Sequence, residues 1–496
     1  MRKLIFAFSA ILFFNSCETD QTSYNQKSNE LDSLFDVKSN SKKELAKAFA
    51  ILLNENESFR NLIRLKALEQ FDNDTEILLL QILDLPLDNG LTVEENLQSI
   101  VSNDEVVSEI KNSFPDLTIL VPTLPNNSFS ASKWDVTNQV PKVAVRLSNT
   151  NNVPVFGVDE QFVLESKYVP DFPVIVLKGN ERVVFIKNFS KYKSLKTREV
   201  KVSSGVSFKF LDDCFDRKKN IVARTVNGQF LDSKLKSAYT IYNNIDGWQR
   251  DYIYYDITPS SPNGNFKYDF QESIKSFTLY GPTVPMYNKI ADQTGDPRYV
   301  ESYFISSSHW SGGNFEFKIR TIVNAKNGVG LEIIKFMNVM PNDIFDLKYS
   351  SVYLFGKPTK YFKLESVGFK TLDVNIPIFN WELDEYATSI KIQVEEVDLT
   401  ETTVITDSRN VKFATNFNID VALGQKVKTG LKFGASLEES ILHSTQITKT
   451  EGNDILGDVI VNFADKVITG QNGNDYITRD YNSGNYVITI EPTRVQ

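Results

Sequence analysis

The residues that usually carry chemistry are scarce in this chain: 496 positions hold two histidines and two cysteines. His309 precedes Trp310-Ser311-Gly312-Gly313, a setting open to a lone acid–base role or to a turn histidine stacked on an aromatic ring. His443 follows Leu442 in strand-like sequence. No H-E-x-x-H pattern and no paired cysteine spacing is present, which argues against zinc of the structural or protease type. Cys214 lies in Asp212-Asp213-Cys214-Phe215-Asp216, where three carboxylates suppress the thiolate and make a poor nucleophile. There is no G-x-S-x-G elbow. Gly328-x-Gly330 lacks the third glycine of a dinucleotide loop, and Gly424–Gly430 lacks the spacing and Gly-Lys pair of a phosphate loop. Acids number 63, so a carboxylate pair for glycoside hydrolysis stays open as a reaction class, its test being how far apart two such groups lie in space.

Oxygen-rich segments raise calcium. With Gly90 at the sixth position of an EF-hand, Asp84–Thr92 would put Leu85 and Leu87 where ligands belong and Asn96 at the twelfth position, which supplies too few oxygens. Gly470–Ile477 matches most of a nonapeptide calcium repeat and Gly452–Leu456 part of one. Asp454 and Asp475 do not fall on a multiple of nine, as stacked turns require, so both segments read as turns between strands. A different kind of candidate is the aromatic and charged stretch Asp246–Asp256. Trp248, Arg250, Asp251 and Tyr254 there could form a ligand surface for carbohydrate or peptide, or pack an interdomain core around an Arg–Asp pair.

The elements that must position these residues follow from periodicity. Apolar residues make up 41% of the chain, enough for packed cores, and the length suits two to four domains. Arg2 and Lys3 precede an apolar run, Leu4–Phe14, too short to span a bilayer and suited to a signal peptide over 1–16. Thr19–Lys38 is polar and aperiodic, completing a tether over 17–38. Ser41–Phe114 carries helical spacing and four Ser/Asn/Thr-x-x-Glu boxes, beginning at Ser41, Asn54, Thr92 and Ser102. It predicts a small helical bundle over 39–115, with Ile77–Leu83 as its most buried segment.

The period then becomes two. Val143–Val145, Val174–Leu177, Val183–Ile186, Lys201–Leu211 and Ile221–Val226 predict a β-rich unit over 116–232, followed by a mixed aromatic-rich region over 233–313. Alternation is clearest from Asn314, with Phe315, Phe317 and Ile319 opposite Glu316, Lys318 and Arg320, and Ile390, Ile392 and Val394 opposite Lys391, Gln393 and Glu395. Further strands are expected at Leu331–Phe336, Ser351–Phe355, Tyr361–Leu364, Lys426–Phe433, Val459–Phe463 and Tyr486–Ile490. Closely spaced strands without interleaved helices predict a β-sandwich over 314–496.

Three resemblances add to this. Phe14-Asn15-Ser16-Cys17 resembles the lipobox of bacterial lipoproteins, and Glu18 and Asp20 look like the surface-export signals of Bacteroidota. The resemblance implies cleavage before Cys17, its lipidation, and attachment to a membrane, with the outer membrane as the expected location. Residues 330–463 resemble a C2 domain. The similarity lies in Leu331–Phe336 as opening strand, Asn342-Asp343 and Asp346 in the next loop, Asn375–Trp381 as the Asn-Pro-x-Trp-Asn turn, Ile390–Asp398 as the acidic strand end, and Asn453–Gly457 as Asn-Asp-x-Leu-Gly. It implies calcium held by Asp343, Asp346, Glu396, Asp398 and Asp454 at one end of a sandwich. Asp246–Asp256, Glu272–Ile274, Pro173–Ile175 and Asn180-Glu181-Arg182 resemble segments of an uncharacterised Bacteroidota lipoprotein family, which implies no activity.

The expected protein is therefore an α+β multidomain chain with a small N-terminal helical bundle followed by β-rich units, the last a C2-like β-sandwich. With 54 bases against 63 acids it lacks the basic face that nucleic acid demands. Its expected role is a lipid-anchored, non-enzymatic binding or adhesion module of the cell envelope, facing an extracellular or periplasmic ligand. The alternative is an envelope hydrolase using paired carboxylates, with or without calcium.

Overall fold

A computed structural model describes residues 39–103, 105–147, 152–165, 167–185, 197–202, 206–216, 231–245, 248–261, 264–291, 308–325, 331–353, 360–379, 386–397, 402–413, 439–450 and 454–495. The signal segment, the tether with Cys17, Asp398, Ile221–Val226 and Lys426–Phe433 lie outside them.

Helices 39–55, Glu57–Glu69, Val93–Ile100 and Glu105–Ser113 open the described chain. The Thr92 box forms: the Thr92 hydroxyl accepts from Glu95 N, and the Glu95 carboxylate accepts from Thr92 N at 2.7 Å. Before Glu57–Glu69 the cap is Asn56, which accepts from Phe59 N at 2.8 Å, because position 54 is still inside the preceding helix. Ile77–Leu83 is buried at every apolar position, as its composition predicts, yet it is no helix. Glu76–Leu78 pairs antiparallel with Leu117–Leu120, and one 3-10 turn, Leu79–Gln81, follows. A short all-apolar run suits a buried strand and a buried helix equally, and the partner strand decides.

The helices share one core with a six-stranded sheet ordered Glu76–Leu78, Leu117–Leu120, Val174–Gly179, Lys142–Val145, Val153–Phe156, Gln161–Leu164. Val174–Gly179 lies inside the sheet, parallel to Lys142–Val145 and buried at every position, which accounts for its unbroken apolar stretch. A three-stranded sheet (Val183–Phe185, Ser207–Phe210, Glu199–Lys201) brings Phe208 and Phe210 into the same core.

A second core runs from Leu235 to Ile490. Two four-stranded antiparallel sheets enclose much of it: Leu372–Phe379, Phe270–Leu279, Tyr486–Arg494, Asp480–Asn482; and Leu331–Val339, Phe315–Ala325, Tyr386–Glu396, Asp454–Asn462. The Phe277 ring lies 5.2 Å from Phe317 across the gap. Phe270–Leu279 comes from the aromatic-rich region, so that region builds this core together with the strands after Asn314. Asn375–Phe379, expected in a turn, is strand. Gly470–Ile477 falls in a hairpin, Ile468–Asn472 with Asp475–Thr478, turned at Gly473, where φ is +61°. A ribbon pairs Thr402–Phe413 with Glu439–Thr450 over twelve positions.

The two halves are joined through a further three-stranded sheet, in which Tyr168–Pro170 from the first half pairs with Lys360–Phe369, itself paired with Phe345–Tyr353. The chain is thus β-rich α+β with several separate sheets. No described helix is long and apolar enough to cross a membrane.

Candidate functional site

Among the described residues, a dense gathering of ionisable groups lies where the halves meet. The turn after helix Glu57–Glu69, in which Asn73 takes a left-handed φ of +66°, carries Asp72 and Asp74, and Glu76 begins the next strand; all three carboxylates converge on Arg182. Across the sheet, Lys178 ends Val174–Gly179, and Asn180-Glu181-Arg182 forms the following turn. From the second half comes Glu316 of Phe315–Ala325. Arg182 is fully buried. Its Nε donates to Glu316 Oε1 at 2.7 Å, and its terminal nitrogens reach Asp72 at 3.2 Å, Asp74 at 3.1 Å and Glu76 at 3.3 Å. Lys178 Nζ lies 2.7 Å from Glu76 and 2.6 Å from Glu181. The Asn180 amide donates to Asp72 at 2.8 Å and to Glu76 at 2.9 Å.

Burial pushes Glu76 and Glu316 well above the usual carboxylate range and raises Asp72, with Arg182 and Lys178 pulling the other way. Burial alone would lower Lys178 and Arg182, but the surrounding carboxylates outweigh it and keep both cationic. Next to this group the Cys214 thiol is pushed well up, by burial first and by Asp212 second. The direction agrees with the sequence reading; the dominant cause is desolvation.

A second buried group covers the polar face of Phe315–Ala325. Arg320 Nε donates to Glu332 at 2.6 Å, and its Nη1 bonds Gln393 and Glu395; Lys318 lies 3.7 Å from Glu395. Burial lowers the Lys318 ammonium.

The residues named for a ligand surface lie largely in the interior. Arg250 and Tyr254 are fully enclosed, Asp251 is buried and Trp248 is half-buried against the second core. The partner of Arg250 is Glu272, gripped through two bonds of 2.8 and 3.0 Å, and the Tyr254 hydroxyl donates to the same carboxylate at 2.9 Å. Three aromatic side chains in one short helix, Gln249–Tyr255, are drawn inward by the hydrophobic effect, and a charge carried in with them must be met there.

The calcium candidates divide. Glu396 and Asp454 are direct cross-strand partners, both buried at one end of their sheet. Asp454 Oδ2 has no hydrogen-bond partner among the described residues, Lys289 stands 3.9 Å from Oδ1, and burial raises the carboxyl. Asp343 sits in the short helix Pro341–Ile344, and Asp346 projects from Phe345–Tyr353, mostly exposed and 3.9 Å from Lys348. Among the described residues no three His, Cys, Asp or Glu side chains are grouped to hold a metal ion; Asp398 is not among them.

His309 is enclosed between two phenols, with Nδ1 2.5 Å from the Tyr287 hydroxyl and Nε2 3.1 Å from that of Tyr349; burial pulls it down to about 4. At neutral pH it is an uncharged bridge between a helix and a sheet. His443 is the register partner of Arg409 in the backbone pairing of the twelve-residue ribbon.

Sequence reading missed the Arg182 and Arg320 groups. The local trace of the first was only the closeness of three acids, Asp72, Asp74 and Glu76, between a helix and an apolar run. No protein-family model, curated protein or solved structure matches this chain.

Proposed function

We propose that the protein is a lipid-anchored component of the cell envelope, held in the outer membrane by an acylated Cys17, and that it acts as a non-enzymatic binding or adhesion module for an extracellular or periplasmic ligand. The observation that carries this reading is the opening segment: Arg2-Lys3, the apolar Leu4–Phe14 and Ser16-Cys17, followed by acidic and polar residues. Acyl chains stabilise membrane attachment by about 0.8 kcal/mol per buried methylene. The carboxylates Glu76, Asp72, Glu272 and Glu395 also support a binding role over hydrolysis at their places, because Lys178, Arg182, Arg250 and Arg320 engage them. Mass spectrometry of the protein from membranes should find acyl mass on Cys17, and Cys17→Ser should release it to the soluble fraction. Retention of Met1 with soluble wild-type protein would overturn the placement.

A second reading, the C2-like sandwich with calcium, rests on one observation: the buried Asp454 Oδ2, without a hydrogen-bond partner among the described residues, lies on the residue paired with Glu396, the last of its strand and two positions before Asp398 in sequence. Asp343 and Asp346 would complete such a site only from a different sheet. It predicts a calcium-dependent rise in melting temperature that Asp454→Asn and Asp398→Asn abolish. Equal melting with and without calcium removes it, and with it the calcium-assisted hydrolase.

A further inference from the structure

At the junction of the halves, five carboxylates (Asp72, Asp74, Glu76, Glu181, Glu316) surround two cations, Lys178 and Arg182. All are buried except for a small exposed part of Asp74, so water screens the imbalance little. Groups nearby add no clear compensation: Asp116 with Lys42 on one side, Asp212 with Lys335 and the Cys214 thiol on the other. A buried carboxylate without a matching cation is cheaper neutral than ionised. Glu316 offers a place for the proton, since its Oε1 takes both Arg182 contacts while its Oε2 is buried with no hydrogen-bond partner among the described residues.

Glu316 is also the one member supplied by the second half. Beside it, Asn314 N donates to Asp74 Oδ2 at 2.9 Å, and Asn314 and Asn338 reach Asn73 O at 3.4 Å. The same few residues therefore hold the excess charge and tie the halves together.

We propose that this junction is a proton-loaded latch: Glu316 retains a proton on Oε2 in the closed molecule, and losing it as pH rises adds an anion to a buried cluster already rich in carboxylates, whose mutual repulsion opens the seam locally. The raised carboxyls agree in sign. A group that binds its proton more tightly folded than unfolded adds stability that is complete below the ordinary carboxylate range and fades as pH climbs through the folded value. The proposal is independent of the envelope reading.

The test uses the full mature chain between pH 6.5 and 8.5, a window above the His309 transition. Wild type should lose roughly 3 °C or more in Tm across it, and amide exchange over 72–78 and 313–319 should accelerate ahead of that over Val174–Gly179. Glu316→Gln, which keeps an oxygen for Arg182 and removes the titration, should retain less than half of the wild-type pH change, and Glu76→Gln should act in the same direction if Glu316→Gln does not fold. A flat wild-type profile, or wild-type slopes in the folded variants, overturns the latch.

Discussion

Replacing Arg250 by methionine tests the view that the Trp248–Tyr254 segment is interior scaffold. The side chain is fully buried, and so is its partner Glu272. Methionine fills much of the space of the arginine stem but removes the bonds to Glu272 Oε1 and Oε2 and the one to Asp465 O at 3.0 Å. Glu272 is left with the Tyr254 hydroxyl at 2.9 Å, inside a region that solvent does not reach. Removing one partner of a buried ion pair costs about 3–5 kcal/mol, most of it from the charge left behind. At roughly 2–4 °C per kcal/mol for units of this size, Tm should fall by about 6–20 °C. The loss belongs to the stranded charge, so adding Glu272→Leu to Arg250→Met should recover part of it. Thermal melts of wild type, both single variants and the double variant close the cycle. An Arg250→Met protein within about 1 kcal/mol of wild type, or a double variant worse than the sum of the singles, would refute the reasoning.

Two further outcomes are expected. Gly313 has φ +92°, and an added Cβ would lie 2.6 Å from Asp74 Oδ2; Gly313→Ala should lower stability by about 1–3 kcal/mol, seen as a reduced urea midpoint, and an unchanged midpoint contradicts the packing described. His309 is held neutral, so its contribution is complete above the ordinary value near 6.5 and is lost as pH falls toward about 4. The stability difference between wild type and His309→Gln should shrink by about 3 kcal/mol over that range, read by denaturant unfolding at each pH; a difference independent of pH rules the bridge out.

Much of the strand pattern was legible because burial on one face leaves a period of two in the sequence. Phe315, Phe317 and Ile319 face the second core as their spacing requires. Thr92 and Glu95 announced their helix start because capping is settled within four residues. What stayed hidden depends on partners far along the chain. Glu316, Lys318 and Arg320 form the ordinary polar side of an alternating strand in sequence, yet all three are buried, because Arg182, Glu332 and Glu395 come to meet them. Arg182 and Glu316 are 134 positions apart, and no local pattern joins them. Ile77–Leu83 misled for the opposite reason: uniform apolarity records burial and discards the period.

The strand Tyr168–Pro170 belongs by sequence to one half and by pairing to the other. Anyone dividing this chain for expression would therefore strip Lys360–Phe369 of a neighbour and leave bare amides along it, an invitation to self-association. Over evolutionary time the same loan discourages shuffling: neither half can be traded into another protein without its lender.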